Sequence, residues 1–584
     1  MRQIHYSAWL LVILSAILQV LIFPLPGVSI LSWAALAPLI LALLRTRPAG
    51  ELEVAGSVRL QPASPAQAFL LSYVCGILWY AGTCYWIYDT MHQYGGLSAP
   101  TAALALFLFS CYLGLYHGFF GLLLSLLAGR SRDYRCPLLA APFLWVAVEL
   151  GRTLITGFPW NLLGTAQVDN AALCRIAQWT GVYGVSFEIA LVNVALAAAF
   201  LVPREKRTAL LTAALAAAAV LQAGQLIDAP PAHADHAALL VQQNIPVAMN
   251  WTPKSFQQTL SELIDLTETW AMTQSSSAPS SSAPPPPTPS SATAPVNQPS
   301  ANQAGSTQAG PKIDLIVWPE SPAPFFTNDA VFRDRLSDMA RQTQTWVVAG
   351  AIGVPPAATG GTTPKMFNSA ALISPSGEWT ARYDKIHLVP FGEYLPFPSV
   401  FAFAGGLMKE VGEFEHGVSR RPLDAGGTRI GVFICYESIF PGEVREFAKP
   451  QSDVLGTKNF IDFPGAQVFI NISNDGWYGD SGAYAQHLNQ TRMRAIESNR
   501  WLLSATNTGV TASIDPLGRV TATIPRKQRG ALVAPYALTS VTTFYSRHGD
   551  WFASLCAIIS LGALLMRFTL LKNREHRKKA DPSS

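Results

Sequence analysis

Arg429-Ile430-Gly431-Val432-Phe433-Ile434-Cys435-Tyr436-Glu437 is the stretch from which the whole chain can be read outward. Its aliphatic, β-branched run predicts a buried strand, and the thiol and carboxylate that follow fall at a strand-to-helix turn. Cys435 is the only cysteine between residues 229 and 548. If that region lies outside the cytoplasm, an unpaired thiol there has no disulfide to account for it. A free thiol with a pKa near ~8.5 is only slightly ionised at neutral pH, so a nucleophilic Cys435 needs a base or a nearby cation. Lone buried cysteines are usually inert. The rest of the chain has to decide between the two readings.

The composition points to a membrane. Of 584 residues, 50% are hydrophobic and only 13% are charged, too apolar for an ordinary soluble enzyme. Long apolar runs fill residues 1–228 and 551–571, whereas the middle alternates strands with polar turns. The expected organisation is a transmembrane domain over 1–228, a water-soluble domain over 229–548, and a last helix with a basic tail over 549–584. Candidate spans are 7–23, 27–45, 67–88, 101–128, 137–155, 171–202, 208–228 and 551–571, about eight, each near the ~20 apolar residues a bilayer core requires. Ala35-Leu-Ala37 resembles a processing site, but the apolar stretch before it is too long for a leader and too many spans follow, so a retained anchor is expected. The net charge of +4 is small, and no basic patch interleaved with aromatics suggests nucleic acid. The other six cysteines lie in or beside apolar segments and read as small packing residues.

Positive charge falls in every second short loop: Arg45 and Arg47, then Arg130, Arg132 and Arg135, then Arg204, Lys206 and Arg207, and finally the 572–579 tail. The alternate loop at 89–100 has neither Lys nor Arg. This bias predicts both termini in the cytoplasm and the 229–548 domain on the opposite face. Within 137–155, Glu149 and Arg152 are costly in hydrocarbon unless paired, and their spacing of three allows mutual neutralisation on one helix face.

The soluble region reads as an α/β layered domain. Strand-like runs occupy His236–Ile245, Ile313–Glu320, Thr345–Gly353, Asn368–Ser374, Arg429–Cys435, Gln467–Ser473 and Trp501–Thr506, with helical stretches near 253–271, 329–343 and 483–499. Residues 273–311 are almost wholly Ser, Pro, Ala, Gln, Gly and Thr, a composition that cannot offset its ordering entropy, and they read as a disordered insertion.

Two further segments carry chemistry. In Ile313-Asp-Leu-Ile-Val-Trp-Pro-Glu320, Pro319 cannot continue a sheet ladder, so Glu320 falls just past the strand end. A solvated turn carboxylate is the bland alternative. In Tyr383-Asp-Lys385-Ile-His387-Leu-Val-Pro-Phe-Gly-Glu393, a Lys and a Glu sit in an apolar, aromatic run. A structural salt bridge and a catalytic pair are both open there, and His387 is either the base of a Cys–His pair or a packed ring. The ten histidines show no paired metal-ligand spacing, His487 stands isolated on a helical stretch, and no phosphate-binding glycine loop is present, so no metal and no cofactor is expected.

Glu320 after Trp-Pro, Lys385 before Ile-His-Leu-Val-Pro-Phe-Gly-Glu-Tyr, and Cys435-Tyr-Glu, in that order, resemble the Glu-Lys-Cys triad of the nitrilase superfamily. Joined to the spans, the resemblance narrows to the apolipoprotein N-acyltransferase family. Thr156-Gly-Phe-Pro-Trp-Asn-Leu-Leu-Gly164, Gly181-Val-Tyr-Gly-Val-Ser-Phe187, Asn474-Asp-Gly-Trp-Tyr-Gly479, Arg494-Ala-Ile-Glu497 and Arg547-His-Gly-Asp-Trp551 are similar to its segments. Departures are the 273–311 insertion and Gln243, where the family pattern has Gly.

The resemblance implies an α-β-β-α sandwich and a covalent thioester. By motif, Glu320 is the general base, Cys435 the nucleophile and Lys385 the stabilising cation. Glu393, Tyr436 and Glu437 match supporting positions, and Trp251 a substrate-gating one. The implied partners are a phospholipid acyl donor, a diacylated apolipoprotein acceptor and the bilayer, with the protein a monomer in the bacterial inner membrane and its catalytic domain periplasmic. A membrane-tethered amidase acting on small amides is the rival reading, and a non-enzymatic scaffold with a decayed domain is a weaker one.

Overall fold

The computed structural model describes residues 4–48, 60–129, 134–227, 231–247, 251–275, 311–321, 323–355, 365–395, 414–455 and 459–580. Segment 273–311 lies outside these except at its two ends, where a helix runs on to Ser275 and Ile313 begins a strand shortly after.

Among the described residues, twelve strands form the soluble domain's two large sheets: β1 His236–Gln242, β2 Ile313–Val317, β3 Trp346–Gly353, β4 Phe367–Ile373, β5 Trp379–Asp384, β6 Leu423–Ala425, β7 Thr428–Ile434, β8 Val468–Ser473, β9 Leu502–Thr506, β10 Thr511–Ile514, β11 Val520–Ile524 and β12 Gly530–Tyr536. The first sheet runs β12-β1-β2-β3-β4-β5 and the second β11-β10-β9-β8-β7-β6, six strands each. β1, β2 and β3 are parallel, as are β7, β8 and β9, and the outer strands pair antiparallel.

The period-2 alternation of side chains explains the layering. Ala238, Leu240, Leu315, Val317, Val348, Ala370 and Leu372 meet the second sheet in one buried cluster. Their neighbours Leu239, Val241, Ile316, Val347, Ala349 and Ile373 instead face α1 (Pro253–Ser275) and α2 (Ala330–Thr343) through Leu260, Leu263, Phe332 and Leu336. The second sheet is backed by α3 (Pro441–Ala448) and α4 (Ala483–Ser498). This is the expected α-β-β-α sandwich. At the close of each central parallel strand the chain must turn, so strand ends from both sheets converge on one edge.

The membrane part corrects the expected span count. Among the described residues, five helices are long and apolar enough to cross a bilayer, and a sixth if Pro65–Thr83 and Trp86–Tyr94, bent by 54°, act as one. The expected spans 7–23 and 27–45 are shorter helices, Tyr6–Leu21 of 16 residues and Ala37–Leu44 of 8 residues behind a 3-10 turn. At about 1.5 Å per residue, sixteen residues reach about 24 Å, less than the ~30 Å hydrocarbon core. Expected span 171–202 breaks at Gly181, with φ of +66°, and only Val182–Ala199 is a continuous helix. Glu149 and Arg152 act on one another electrostatically, as their spacing allows, and each also takes other partners. Glu149 accepts from the Leu163 amide at 2.7 Å, while Arg152 donates to Tyr80 Oη and the Trp160 carbonyl at 2.8 and 3.0 Å.

The two domains share a buried cluster in which Tyr436, Ile439, Phe440, Met493 and Ile496 pack against membrane helices. Gln486 on α4 joins four membrane-domain groups: it accepts from Trp160 Nε1 and Asn161 Nδ2 at 2.7 and 3.1 Å, and donates to the carbonyls of Pro24 and Thr83 at 2.6 and 3.2 Å. Away from this contact the His5 amide donates to the Thr46 carbonyl, and Arg567 lies against Gly129.

Candidate active site

Glu320 is placed by β2. The strand ends at Val317, and Trp318-Pro319 turns the chain so that the carboxylate enters the interior, 8% exposed. Gly350 on β3 makes room for this turn, since a Cβ there would lie 2.1 Å from the Pro319 carbonyl oxygen. Lys385 follows the end of β5 and is 1% exposed. Its Nζ donates to Glu393 Oε1 at 2.8 Å and to Glu320 Oε1 at 3.4 Å. Asn368 on β4 donates from Nδ2 to both carboxylates, at 2.6 Å each. The remaining oxygens are held by backbone amides: Glu320 Oε2 by Asn474 at 2.9 Å and Glu393 Oε2 by Val389 at 2.7 Å.

Cys435 follows the end of β7 with φ of +50°. Left-handed backbone is uncommon for a residue with a side chain, and here it turns the thiol out of the sheet ladder. Glu437 fixes this turn. Its Oε2 accepts from the Ile434 amide at 2.7 Å, and its Oε1 accepts from Tyr383 Oη and the Ile386 and His387 amides at 2.8, 2.8 and 3.1 Å. One carboxylate thereby ties the cysteine turn to the lysine loop. Tyr436 donates from Oη to the Gly157 carbonyl of the membrane domain at 3.3 Å.

The electrostatics follow from burial. It pulls the Lys385 ammonium down, but Glu393 and Glu320 outweigh it and the net direction is up, so the cation persists. Burial pushes the Cys435 thiol well up and Glu320 adds to this, with Lys385 opposing. The resting group is therefore a thiol whose proton has to be removed as it attacks.

The structure thus brings Glu320, Lys385, Cys435, Glu393 and Glu437 to one edge, with Tyr436 at its membrane side. Trp251 stands apart, half-buried against the helix-covered face of the first sheet. His387 pairs with Glu443 at 2.9 Å and stacks on Phe440 at 3.7 Å, the packed-ring arrangement. Three groups were missed from sequence. Asn368 gave only the weak signal of an amide in a buried strand. Asp475 and His487 are far apart in the chain yet lie with Cys435 so that their donor atoms are all within 4.8 Å. Both His487 nitrogens are already engaged, Nδ1 by Asp475 at 3.2 Å and Nε2 by the Cys435 carbonyl at 3.0 Å, which makes this a hydrogen-bonded network rather than an open ligand set.

The carbon-nitrogen hydrolase family matches residues 237–545, and the family of apolipoprotein N-acyltransferase N-terminal domains matches residues 15–195. An apolipoprotein N-acyltransferase of Geobacter metallireducens is 34% identical over 558 residues, 94% of this chain and 93% of its own.

The chain belongs to the apolipoprotein N-acyltransferase family.

The Methylococcus capsulatus apolipoprotein N-acyltransferase is 31% identical over 89% of this chain and 92% of its own. Among solved structures, an amidase from Nesterenkonia sp. overlays 55% of this chain and 94% of its own with a TM-score of 0.33 and 17% identity. Membership makes this chain a multi-pass membrane acyltransferase of lipoprotein maturation, built on a nitrilase-like domain.

Proposed function

We propose that Cys435 carries the acyl group as a thioester between a phospholipid donor and the α-amino group of a diacylglyceryl-cysteine apolipoprotein. The observation that carries this reading is the Lys385 ammonium held between Glu320 and Glu393 beside the cysteine turn. In the first half-reaction Glu320 takes the thiol proton as sulfur attacks the ester carbonyl. The S–C bond forms, the ester C–O bond breaks, and the proton passes to the departing lysophospholipid. Lys385 stabilises the developing oxyanion, an effect of about 3–4 kcal/mol per well-placed donor. In the second, the neutral amine attacks the thioester, the N–C bond forms, the C–S bond breaks, and Glu320 relays the amine proton back to sulfur.

The docking of this edge on the membrane domain suits substrates that keep their chains in the bilayer. Extracting each CH₂ costs about 0.8 kcal/mol, which is prohibitive for a long chain. With the arginine-bearing turns cytoplasmic, the catalytic domain is periplasmic and both termini are inside.

The test is mass spectrometry of the purified protein with phospholipid alone, then with a diacylated lipopeptide. An acyl adduct on Cys435 that the lipopeptide discharges is expected, and Cys435→Ala should form none while still inserting into membranes. An alanine variant that still N-acylates the lipopeptide overturns the reading. Hydrolysis of small amides without phospholipid acylation would favour the tethered amidase.

A further inference from the structure

His487 lies in the second turn of α4, 2% exposed, directly behind the cysteine turn. Its Nδ1 is 3.2 Å from Asp475 Oδ1, and its Nε2 is 3.0 Å from the Cys435 carbonyl oxygen and 2.8 Å from Ser438 Oγ. The Asp475 carboxylate, at ion-pair distance, favours a proton on Nδ1, and the Cys435 carbonyl accepts the Nε2 proton. Ser438, a hydroxyl, can turn its lone pair to the same N–H. That arrangement favours an imidazolium. Asp475 is itself fixed by Ser473 Oγ at 2.5 Å, and the ring lies parallel to Trp160, 6° off, with centroids 6.3 Å apart.

We propose that His487 is a positioning residue for acyl transfer: held as an imidazolium by Asp475, it clamps the Cys435 carbonyl in the left-handed turn and cancels the Asp475 charge beside the thiol.

This rests on Cys435 being the nucleophile. The groups facing the ring are Asp475 and Tyr478 from the segment after β8, Cys435 from the end of β7, and Glu320 from the end of β2. Burial pulls the imidazole down, but Asp475 outweighs it and the net direction is up, in keeping with the donor inventory. Asp475 in turn is one of the charges that push the thiol up. With a neutral residue at 487, that carboxylate faces the sulfur uncompensated, within 4.8 Å of it. Glu320 must then remove a proton that is harder to lose.

The experiment is the pH profile of Cys435 alkylation by iodoacetamide in the full-length protein, read by mass spectrometry of the Cys435 peptide. It does not depend on acyl transfer, so it can fail while the thioester reading stands, and the reverse. H487Q keeps an amide donor but no charge. Its profile is expected about one pH unit higher than wild type, a tenfold slower reaction at fixed pH. The double variant D475N/H487Q is expected to return toward wild type, which loss of packing alone would not do. An unchanged profile in H487Q, or a double variant no better than the single, overturns the proposal. If H487Q does not fold, ¹⁵N-histidine spectra of the wild-type protein decide. An imidazolium persisting at pH 8 and assigned to His487 supports it, and a neutral His487 ring overturns it.

Discussion

Asn368 Nδ2 and Glu320 Oε1 meet at 2.6 Å, and the same nitrogen reaches Glu393 at 2.6 Å. An amide NH₂ has two protons, so each carboxylate takes one. Lys385 supplies the charge that two buried carboxylates require, and Asn368 fixes how far apart they sit. Without it, Glu320 Oε1 would keep only the longer contact to the Lys385 ammonium, and the Asn474 amide would hold Oε2 alone.

Asn368→Asp replaces that shared donor with a third acceptor. Its turnover is expected to fall by about 10²-fold, the scale for losing a preorganised polar contact at a reacting centre. Asn368→Ala, which removes the donor without adding charge, should fall less. Steady-state acyl transfer checks both, and an aspartate variant no worse than the alanine would argue that Asn368 only fills space.

Lys385 is fully enclosed, with Nζ 2.8 Å from Glu393 and 3.4 Å from Glu320. Lys385→Arg keeps the charge but brings a planar, larger head into a space shaped for a compact ammonium. Turnover is expected to drop at least about 10²-fold while the protein remains membrane-inserted. Near-normal turnover would remove Lys385 from the mechanism. Lys385→Met leaves two buried carboxylates without a counterion, and a destabilisation of about 3–5 kcal/mol is expected in denaturant titrations.

Gly350 tests how Glu320 is aimed. A methyl there would lie 2.1 Å from the Pro319 carbonyl oxygen and 2.7 Å from the Ser321 amide nitrogen, both backbone atoms that cannot rotate away. Gly350→Ala is expected to cost about 1–3 kcal/mol, as overpacking does, and to depress turnover more than substrate binding because the base is displaced. Wild-type Tm and kcat together would contradict this.

How much of this was legible beforehand differs by element. The central strands β1, β2, β3, β4, β7, β8 and β9 announce themselves as aliphatic runs, because strands covered on both sides leave little room for polar residues. β10, β11 and β12 do not. Thr511–Ile514 and Val520–Ile524 are short and Thr-rich, and β12 carries Pro535, which its place at the sheet edge tolerates. The short apolar helices near the amino terminus read as spans because composition reports apolarity and not length. At the site, Glu320, Lys385 and Cys435 were legible because each follows a strand end within a recognisable motif. Asn368, Asp475 and His487 were not. Their roles come from contacts between residues 12 to 52 positions apart, which no local pattern encodes.

Gln486 offers the sharpest test of why the site is docked on the membrane domain. Its side chain, 1% exposed, satisfies Trp160 and Asn161 as acceptor and the carbonyls of Pro24 and Thr83 as donor. Gln486→Leu keeps the volume but strands these groups, and each buried polar group left without a partner costs about 1–3 kcal/mol. The loss falls on the contact between α4 and the membrane helices, not on the triad. Acyl transfer from phospholipid vesicles is therefore expected to fall by an order of magnitude or more, with Tm lowered. Thioesterification of Cys435 by a short-chain, water-soluble ester should fall far less, because that donor needs no route from the bilayer. Measuring both donors on the same preparation separates docking from chemistry. Equal losses on the two would mean that Gln486 supports the catalytic turn itself, through the neighbouring His487, rather than the path by which lipid reaches it.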